Sequence, residues 1–67
     1  MAITLKAARI NKGLTQLEAS KMIGVTEDTI GNWERARSFP NVPQIRKIEE
    51  IYGIPYHELI FLPESNG

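Results

Sequence analysis

The feature that most constrains this chain is a sharp turn at Gly24 between two short helical segments. The first segment begins with a capping box, in which the Thr15 hydroxyl and the Glu18 carboxylate can each bond a free backbone N–H. The second begins at Thr26, whose hydroxyl can cap a helix in the same way. A glycine at the turn supplies a positive φ at little steric cost. The sequence therefore predicts two short helices that meet at an angle.

Glycine and proline divide the rest of the chain into segments that are equally short. None of them alternates apolar and polar residues as a half-buried strand does. Apolar residues at helical spacing, caps and the fixed φ of Pro55 instead indicate helices. The five predicted helices cover residues 4–12, 16–23, 27–35, the segment between Asn41 and Gly53, and 56–61. We therefore expect an all-α fold of five short helices.

The length of 67 residues corresponds to one small domain. We expect this domain to cover residues 1–63, with the helix-turn-helix at about 16–35 and a polar tail at 64–67. No apolar run approaches the roughly 20 residues that span a bilayer, and the N-terminus lacks the pattern of a signal peptide. The expected protein is soluble and cytoplasmic, with no membrane partner.

Composition excludes most catalytic chemistry. The chain has no cysteine and a single histidine, His57, so it lacks the ligands of an ordinary zinc site. It also lacks a phosphate-binding glycine loop and a paired nucleophile and base. We therefore expect a protein that is not an enzyme and that holds neither a metal ion nor another cofactor.

The distribution of charge favours anion binding only weakly. The eight basic and eight acidic residues cancel. Residues 1–39 carry six basic and four acidic groups, a net +2, whereas residues 40–67 carry two and four, a net −2. Nucleic-acid binding is compatible with this balance because local distribution matters more than the sum.

The stretch LTQLEASKMIGVTEDTIGNWERAR, residues 14–37, resembles the helix-turn-helix of the phage repressor and Cro family, also called Xre-type. The positions that match the family pattern are Leu14, Thr15, Gln16, Glu18, Gly24, Thr26, Ile30, Trp33, Glu34 and Arg35. The resemblance covers about residues 4–61, and the ending IFLP is similar to small stand-alone members from Gram-positive phages and mobile elements. It implies a compact five-helix, lambda-repressor-like domain that regulates transcription, as a repressor, and binds double-stranded operator DNA as a weak dimer.

The resemblance also implies which residues contact DNA. The positions that contact bases match Glu27, Asp28, Thr29 and Asn32. The positions that contact the backbone match Thr15, Gln16, Arg35, Arg37 and Asn41. The Asn32 amide could bond N6 and N7 of adenine. For Glu27 and Asp28 two interpretations stay open: they accept from cytosine N4, or they only stabilise the helix start.

Two further positions match a structural element of the family. Arg9 and Glu34 correspond to a buried or half-buried ion pair between the first and third helices, and we expect it to support the fold rather than to contact DNA. A helical wheel places Ile30 and Trp33 inward and Gly31 outward. A glycine inside a helix costs about 1 kcal/mol relative to alanine, so Gly31 is either a point of close approach to DNA or a tolerated imperfection.

The C-terminal end is more apolar than a solvated end needs to be. The residues concerned are Tyr56, Ile60, Phe61 and Leu62. They either form a self-complementary dimer contact or fold back and complete the core. A rival function also stays open: a protein-interaction module of the same fold, such as an antitoxin or the partner of an antirepressor or other regulatory protein. The neutral net charge and the acidic Glu27–Asp28 favour that rival, whereas the polar residues at the motif favour DNA.

Overall fold

The computed structural model describes residues 2–61. Its four α-helices are Leu5–Asn11 (α1), Gln16–Ile23 (α2), Glu27–Glu34 (α3) and Val42–Tyr52 (α4). A 3-10 turn at Tyr56–Glu58 leads into a two-residue strand, and this strand pairs in parallel with another at the N-terminus. The strands are Ile3–Thr4 (β1) and Leu59–Ile60 (β2). The architecture is therefore mostly helical, as the sequence predicts.

Each α-helix begins at a polar side chain that accepts from a backbone N–H three residues later. The four capping residues are Thr4, Thr15, Thr26 and Asn41. At Asn41 the cap is reciprocal, because the Asn41 N–H donates to Gln44 Oε1 at 2.8 Å. Such caps satisfy N–H groups that have no partner within the helix and are worth about 0.5–2 kcal/mol each. They therefore fix where the short helices begin.

The turn between α2 and α3 has the predicted geometry. Gly24 adopts a left-handed conformation with φ 91°, and its N–H donates to the Ser20 carbonyl at 2.8 Å. The N–H of Val25 donates to the same carbonyl at 2.9 Å, so the helix end is closed twice. The buried Ser20 hydroxyl donates to the Leu17 carbonyl at 2.7 Å, so this buried polar group has a partner.

The prediction of a fifth helix over 56–61 was wrong. After Pro55 the chain makes one 3-10 turn, Tyr56–Glu58, and then extends. Extension lets Leu59 pair with Ile3 and Ile60 with Thr4, and it buries the Leu59 side chain. β-branched residues suit such extended backbone. The described residues therefore contain four α-helices and a strand pair.

The core lies between the four α-helices and is completed by Leu59 of β2. Its buried apolar residues are Leu5, Ala8, Ala19, Ile23, Ile30, Trp33, Ile48, Tyr52 and Leu59. Ile30 and Trp33 face inward, as the helical wheel predicts, with exposed fractions of 1% and 4%. Because α3 is buried through these two residues, its opposite side is left toward solvent.

Tyr52 is expected to make stability pH-dependent under alkaline conditions. Burial, with a further contribution from the Glu34 carboxylate, raises the pKa of Tyr52 to about 12, while Arg9 acts in the opposite direction. An unfolded tyrosine titrates at about pH 10, so between about pH 10 and 12 only the unfolded chain releases the proton. Stability should therefore fall as the pH rises through this window. Urea unfolding at about pH 9 and about pH 11 should show a larger loss for the native chain than for Tyr52→Phe. Equal losses would contradict this account.

Ala36, directly after α3, is the expected site of a stabilising substitution. Its φ of 59° lies in the left-handed region, which is unfavourable for alanine by about 1–2 kcal/mol. The Ala36 N–H donates to the Trp33 carbonyl and the Arg37 N–H to the Asn32 carbonyl, a helix ending that favours glycine. Because glycine also loses more backbone entropy on folding, we expect Ala36→Gly to add about 0.5–1 kcal/mol. Circular dichroism melting should show a rise of about 2–8 °C in the midpoint temperature. An unchanged or lower midpoint would show that the backbone at Ala36 is not strained.

Candidate nucleic-acid interface

A nearly buried ion pair anchors the C-terminal end of α3. The Arg9 Nε donates to Glu34 Oε2 at 2.7 Å, and the Arg9 Nη2 donates to Oε1 at 3.2 Å. The two side chains are 9% and 6% exposed. The hydrogen bond with Glu34 raises the pKa of Arg9, so its guanidinium stays charged. A third bond, from Nη1 to the Leu14 carbonyl at 2.8 Å, ties the start of the motif to the same anchor. The predicted link between α1 and α3 is therefore present.

The start of α2 is attached to the same carboxylate. Gln16 Nε2 donates to Glu34 Oε1 at 3.1 Å, so this residue reaches the end of α3. The sequence did not indicate this bond, although both residues matched the family pattern. Beside it, the exposed Thr15 forms the predicted capping box with Glu18, with bonds of 2.9 and 3.0 Å. The bond from the Thr15 N–H, followed by that with its side chain, lowers the pKa of Glu18.

The outer side of α3 begins with two carboxylates. Glu27 and Asp28 are exposed in the first turn, where negative charge complements the helix dipole. Thr29 is half-buried, and its hydroxyl lies 2.8 Å from that of Thr26. Asn32 follows one turn later and is also half-buried. The predicted base-contacting residues thus share one helix, and both the dipole-stabilising and the base-contacting role of the carboxylates stay open.

Arg35 lies back along α3 instead of extending from its end. Its Nη2 donates to Asn32 Oδ1 at 3.2 Å. A Cβ built at Gly31 would lie 3.1 Å from Arg35 Nη1, so the guanidinium lies directly over this glycine. Gly31 lies on the outer side of α3, as the helical wheel predicts, but it is buried because Arg35 covers it. The signal in the sequence was that Arg35 follows Gly31 by four residues, a spacing at which two helical residues are neighbours on the helix surface.

The segment that follows α3 carries the remaining predicted backbone contacts. Arg37 is exposed, and its N–H donates to the Asn32 carbonyl at 2.9 Å. Asn41 is exposed at the start of α4, where its Oδ1 caps the helix and its amide nitrogen takes no part in the cap. Two cationic residues, Arg35 and Arg37, therefore lie directly after α3.

An apolar groove lies beside this polar surface. It has a volume of about 180 Å³ and is lined by Phe39, Pro40, Ile45, Tyr56 and Phe61. The rings of Tyr56 and Phe61 lie 5.4 Å apart between centroids. Phe39 and Tyr56 are 60% and 50% exposed, so the groove is open to solvent. Two of the residues predicted to form a dimer contact, Tyr56 and Phe61, line the groove.

The other predicted dimer residues fall elsewhere. Ile60 belongs to β2 and is half-buried, and Leu62 lies outside the described residues. Phe61 also packs against the core, so the alternative of completing the core applies to it as well. Sequence interpretation missed Phe39, which lies between the third and fourth predicted helices. An aromatic residue in a polar loop was the available signal.

Two structural findings bear on other classes of protein. No cluster of histidine, cysteine, aspartate or glutamate that could hold a metal ion occurs within residues 2–61. Over the same residues, no helix is long and apolar enough to cross a membrane.

The fold and the surface together define a helix-turn-helix domain, with α2 and α3 joined at Gly24 and α3 exposed along one side. The model of the helix-turn-helix family matches residues 5–59, which include all four helices. The chain belongs to this family and is of the phage repressor and Cro type. It is therefore a DNA-binding regulator of transcription, and the family is regulatory rather than enzymatic. No curated protein and no solved structure matches the chain.

Proposed function

We propose that this protein is a transcriptional repressor that binds an inverted-repeat operator as a dimer. The supporting observation is the way α3 is held. On its inner side Trp33 is buried in the core and Glu34 is paired with Arg9. Glu27, Asp28 and Asn32 remain at the outer surface. A rigid, capped helix with one open side has the geometry that enters a major groove.

In this proposal the polar residues divide by what they contact. Base edges are contacted by Glu27, Asp28, Thr29 and Asn32. Phosphates are contacted by Thr15, Gln16, Arg35, Arg37 and Asn41, which lie at the start of α2, the end of α3 and the start of α4. Phosphate contacts hold the domain in register, and contacts from α3 select the sequence.

The groove supplies the contact between the two copies. Phe39, Tyr56 and Phe61 are aromatic, and the first two are at least half exposed. Aromatic residues are enriched at the centres of protein interfaces, and a twofold contact uses the same patch on both copies. So small a patch supports only weak association in solution, which a shared DNA site would strengthen.

Selection of binding sites from a random duplex library tests this function. We expect an inverted repeat with half-sites about 10 base pairs apart, or a multiple of that spacing. Transcription from a promoter that overlaps the recovered site should fall when the protein is added. Rising transcription would contradict repression, and the absence of any enriched sequence with folded protein would contradict sequence-specific binding.

The second candidate function, a protein-interaction module, is favoured by the open apolar groove and the zero net charge. The dependence of binding on salt separates the two functions. Binding to DNA through several phosphates should weaken as salt is added. The logarithm of the affinity, plotted against the logarithm of the salt concentration, should fall with a slope of about −0.9 per neutralised phosphate. A slope near zero on duplex DNA would favour the interaction module.

A further inference from the structure

The side chains of Asn32 and Arg35 form a bonded pair on the outer side of α3. The Arg35 Nη2 donates to Asn32 Oδ1 at 3.2 Å. Gly31 provides the space beneath the guanidinium, since an added Cβ would lie 3.1 Å from Nη1 and 3.3 Å from Nη2. Contacts that short require the arginine to move by a few tenths of an ångström. The absence of a side chain at Gly31 therefore lets the arginine lie beside Asn32.

We propose that Asn32 and Arg35, seated on Gly31, form a single unit that recognises guanine. The proposal rests on the proposed function, because it concerns how a DNA-binding surface chooses its base. In the pair, the only side-chain oxygen of Asn32 already accepts from Arg35. That oxygen keeps one further lone pair, while the amide NH₂ and the other guanidinium N–H groups remain donors, and a guanidinium has no acceptor at all. The pair therefore presents mostly hydrogen-bond donors.

A surface made mostly of donors distinguishes the two purines. In the major groove guanine presents two acceptors, N7 and O6, whereas adenine presents the N7 acceptor and the N6 donor. The paired side chains match guanine and place a donor against adenine N6. The bidentate contact that an isolated asparagine makes with adenine uses the oxygen that, in this pair, already accepts from Arg35. Arg35 thus contacts a base in place of the phosphate contact given to it under the proposed function, and Gly31 acts as the residue that positions it.

Base substitution in a duplex recovered by site selection tests this unit. Changing the recognised guanine to adenine, or to 7-deazaguanine, which lacks the N7 acceptor, should lower the affinity of the native chain about tenfold. Asn32→Ala and Arg35→Ala should each remove most of that discrimination, and Gly31→Ala should reduce it. Arg46→Ala removes an equal charge from an exposed position on α4 and serves as the matched control, which should keep the discrimination.

The free protein provides a second readout that needs no DNA. In a nuclear magnetic resonance spectrum, Arg35→Ala should shift the side-chain amide signals of Asn32, and Arg46→Ala should not. Unshifted signals would overturn the pair whatever DNA the protein binds.

The outcomes separate this proposal from the function on which it rests. An enriched inverted repeat that lacks a guanine dependent on Arg35 would overturn the recognition unit and leave operator binding in place. A preference for adenine that depends on Asn32 alone would do the same. If no sequence is enriched, both the operator-binding function and the recognition unit fail.

Discussion

Glu34→Leu is expected to lower the free energy of unfolding by about 3–5 kcal/mol, a large part of the total stability. The change leaves the Arg9 guanidinium, 9% exposed, without its carboxylate and removes the partner of Gln16. Breaking a buried pair from one side costs about 3–5 kcal/mol. At about 0.05–0.15 kcal/mol per residue, a domain of this size has a total stability of the same order. Urea unfolding followed by tryptophan fluorescence would measure the loss directly, because Trp33 is buried.

Two further variants show whether the charge or the packing is responsible. Glu50→Leu removes an exposed carboxylate from α4 and should change stability by no more than about 0.5 kcal/mol. Arg9→Met combined with Glu34→Leu replaces both charges and should recover most of the loss, because apolar replacement of a buried pair is often neutral. A single Glu34→Leu variant within about 1 kcal/mol of the native chain would show that the pair is not an anchor.

Phe39→Asp is expected to separate dimer formation from DNA contact. Phe39 is 60% exposed and is absent from the core, so the folded state should keep its thermal stability. A carboxylate in the groove would oppose the burial of the apolar patch between two copies. Losing the linkage between two bound copies should lower affinity for an inverted repeat about 100-fold. Binding to an isolated half-site should change little, as measured by fluorescence anisotropy.

Met22→Asp is the matched control for this experiment. Met22 is 51% exposed on α2 and does not line the groove, so the same charge there should leave dimer binding unchanged. Equal losses on the full site and on the half-site would mean that Phe39 lies at the DNA rather than between copies. If the Phe39→Asp variant keeps full affinity for the inverted repeat, the groove does not form the dimer contact. Phe61 is a poorer choice because it also packs against the core.

The parts of the fold that follow from local chemistry were predictable from the sequence. Helix starts depend on a capping side chain and a backbone N–H three residues away, so Thr15, Thr26 and Asn41 indicated them correctly. The positive φ at Gly24 followed from the same local reasoning. The ion pair of Arg9 and Glu34 was expected only through the family resemblance, since 25 residues separate them.

The parts that depend on distant contacts were not predictable. A strand of two residues carries no alternating pattern, and β2 exists because Leu59 meets Ile3 from the other end of the chain. The groove likewise combines Phe39 with the C-terminal Phe61. At Ala36 the sequence offered a residue that does not favour the observed backbone, so local propensity gave no warning.

The Arg35 side chain is the group that a side chain at Gly31 would meet. Gly31→Ala should raise intrinsic helix stability by about 1 kcal/mol, yet it would displace the Arg35 guanidinium. Local stability and the position of Arg35 therefore oppose each other at one residue. Functional sites are where such conflicts are expected.

The most direct test of the central claim is a map of backbone amide shifts in the labelled protein as a selected duplex of about 20 base pairs is added. If the outer side of α3 contacts DNA, the largest shifts should fall on residues 27–37 and on Thr15 and Gln16. Further shifts at the groove are expected where two copies meet. Amides of α3 that stay unmoved, with shifts confined to α1 or to the C-terminal half of α4, would contradict the account.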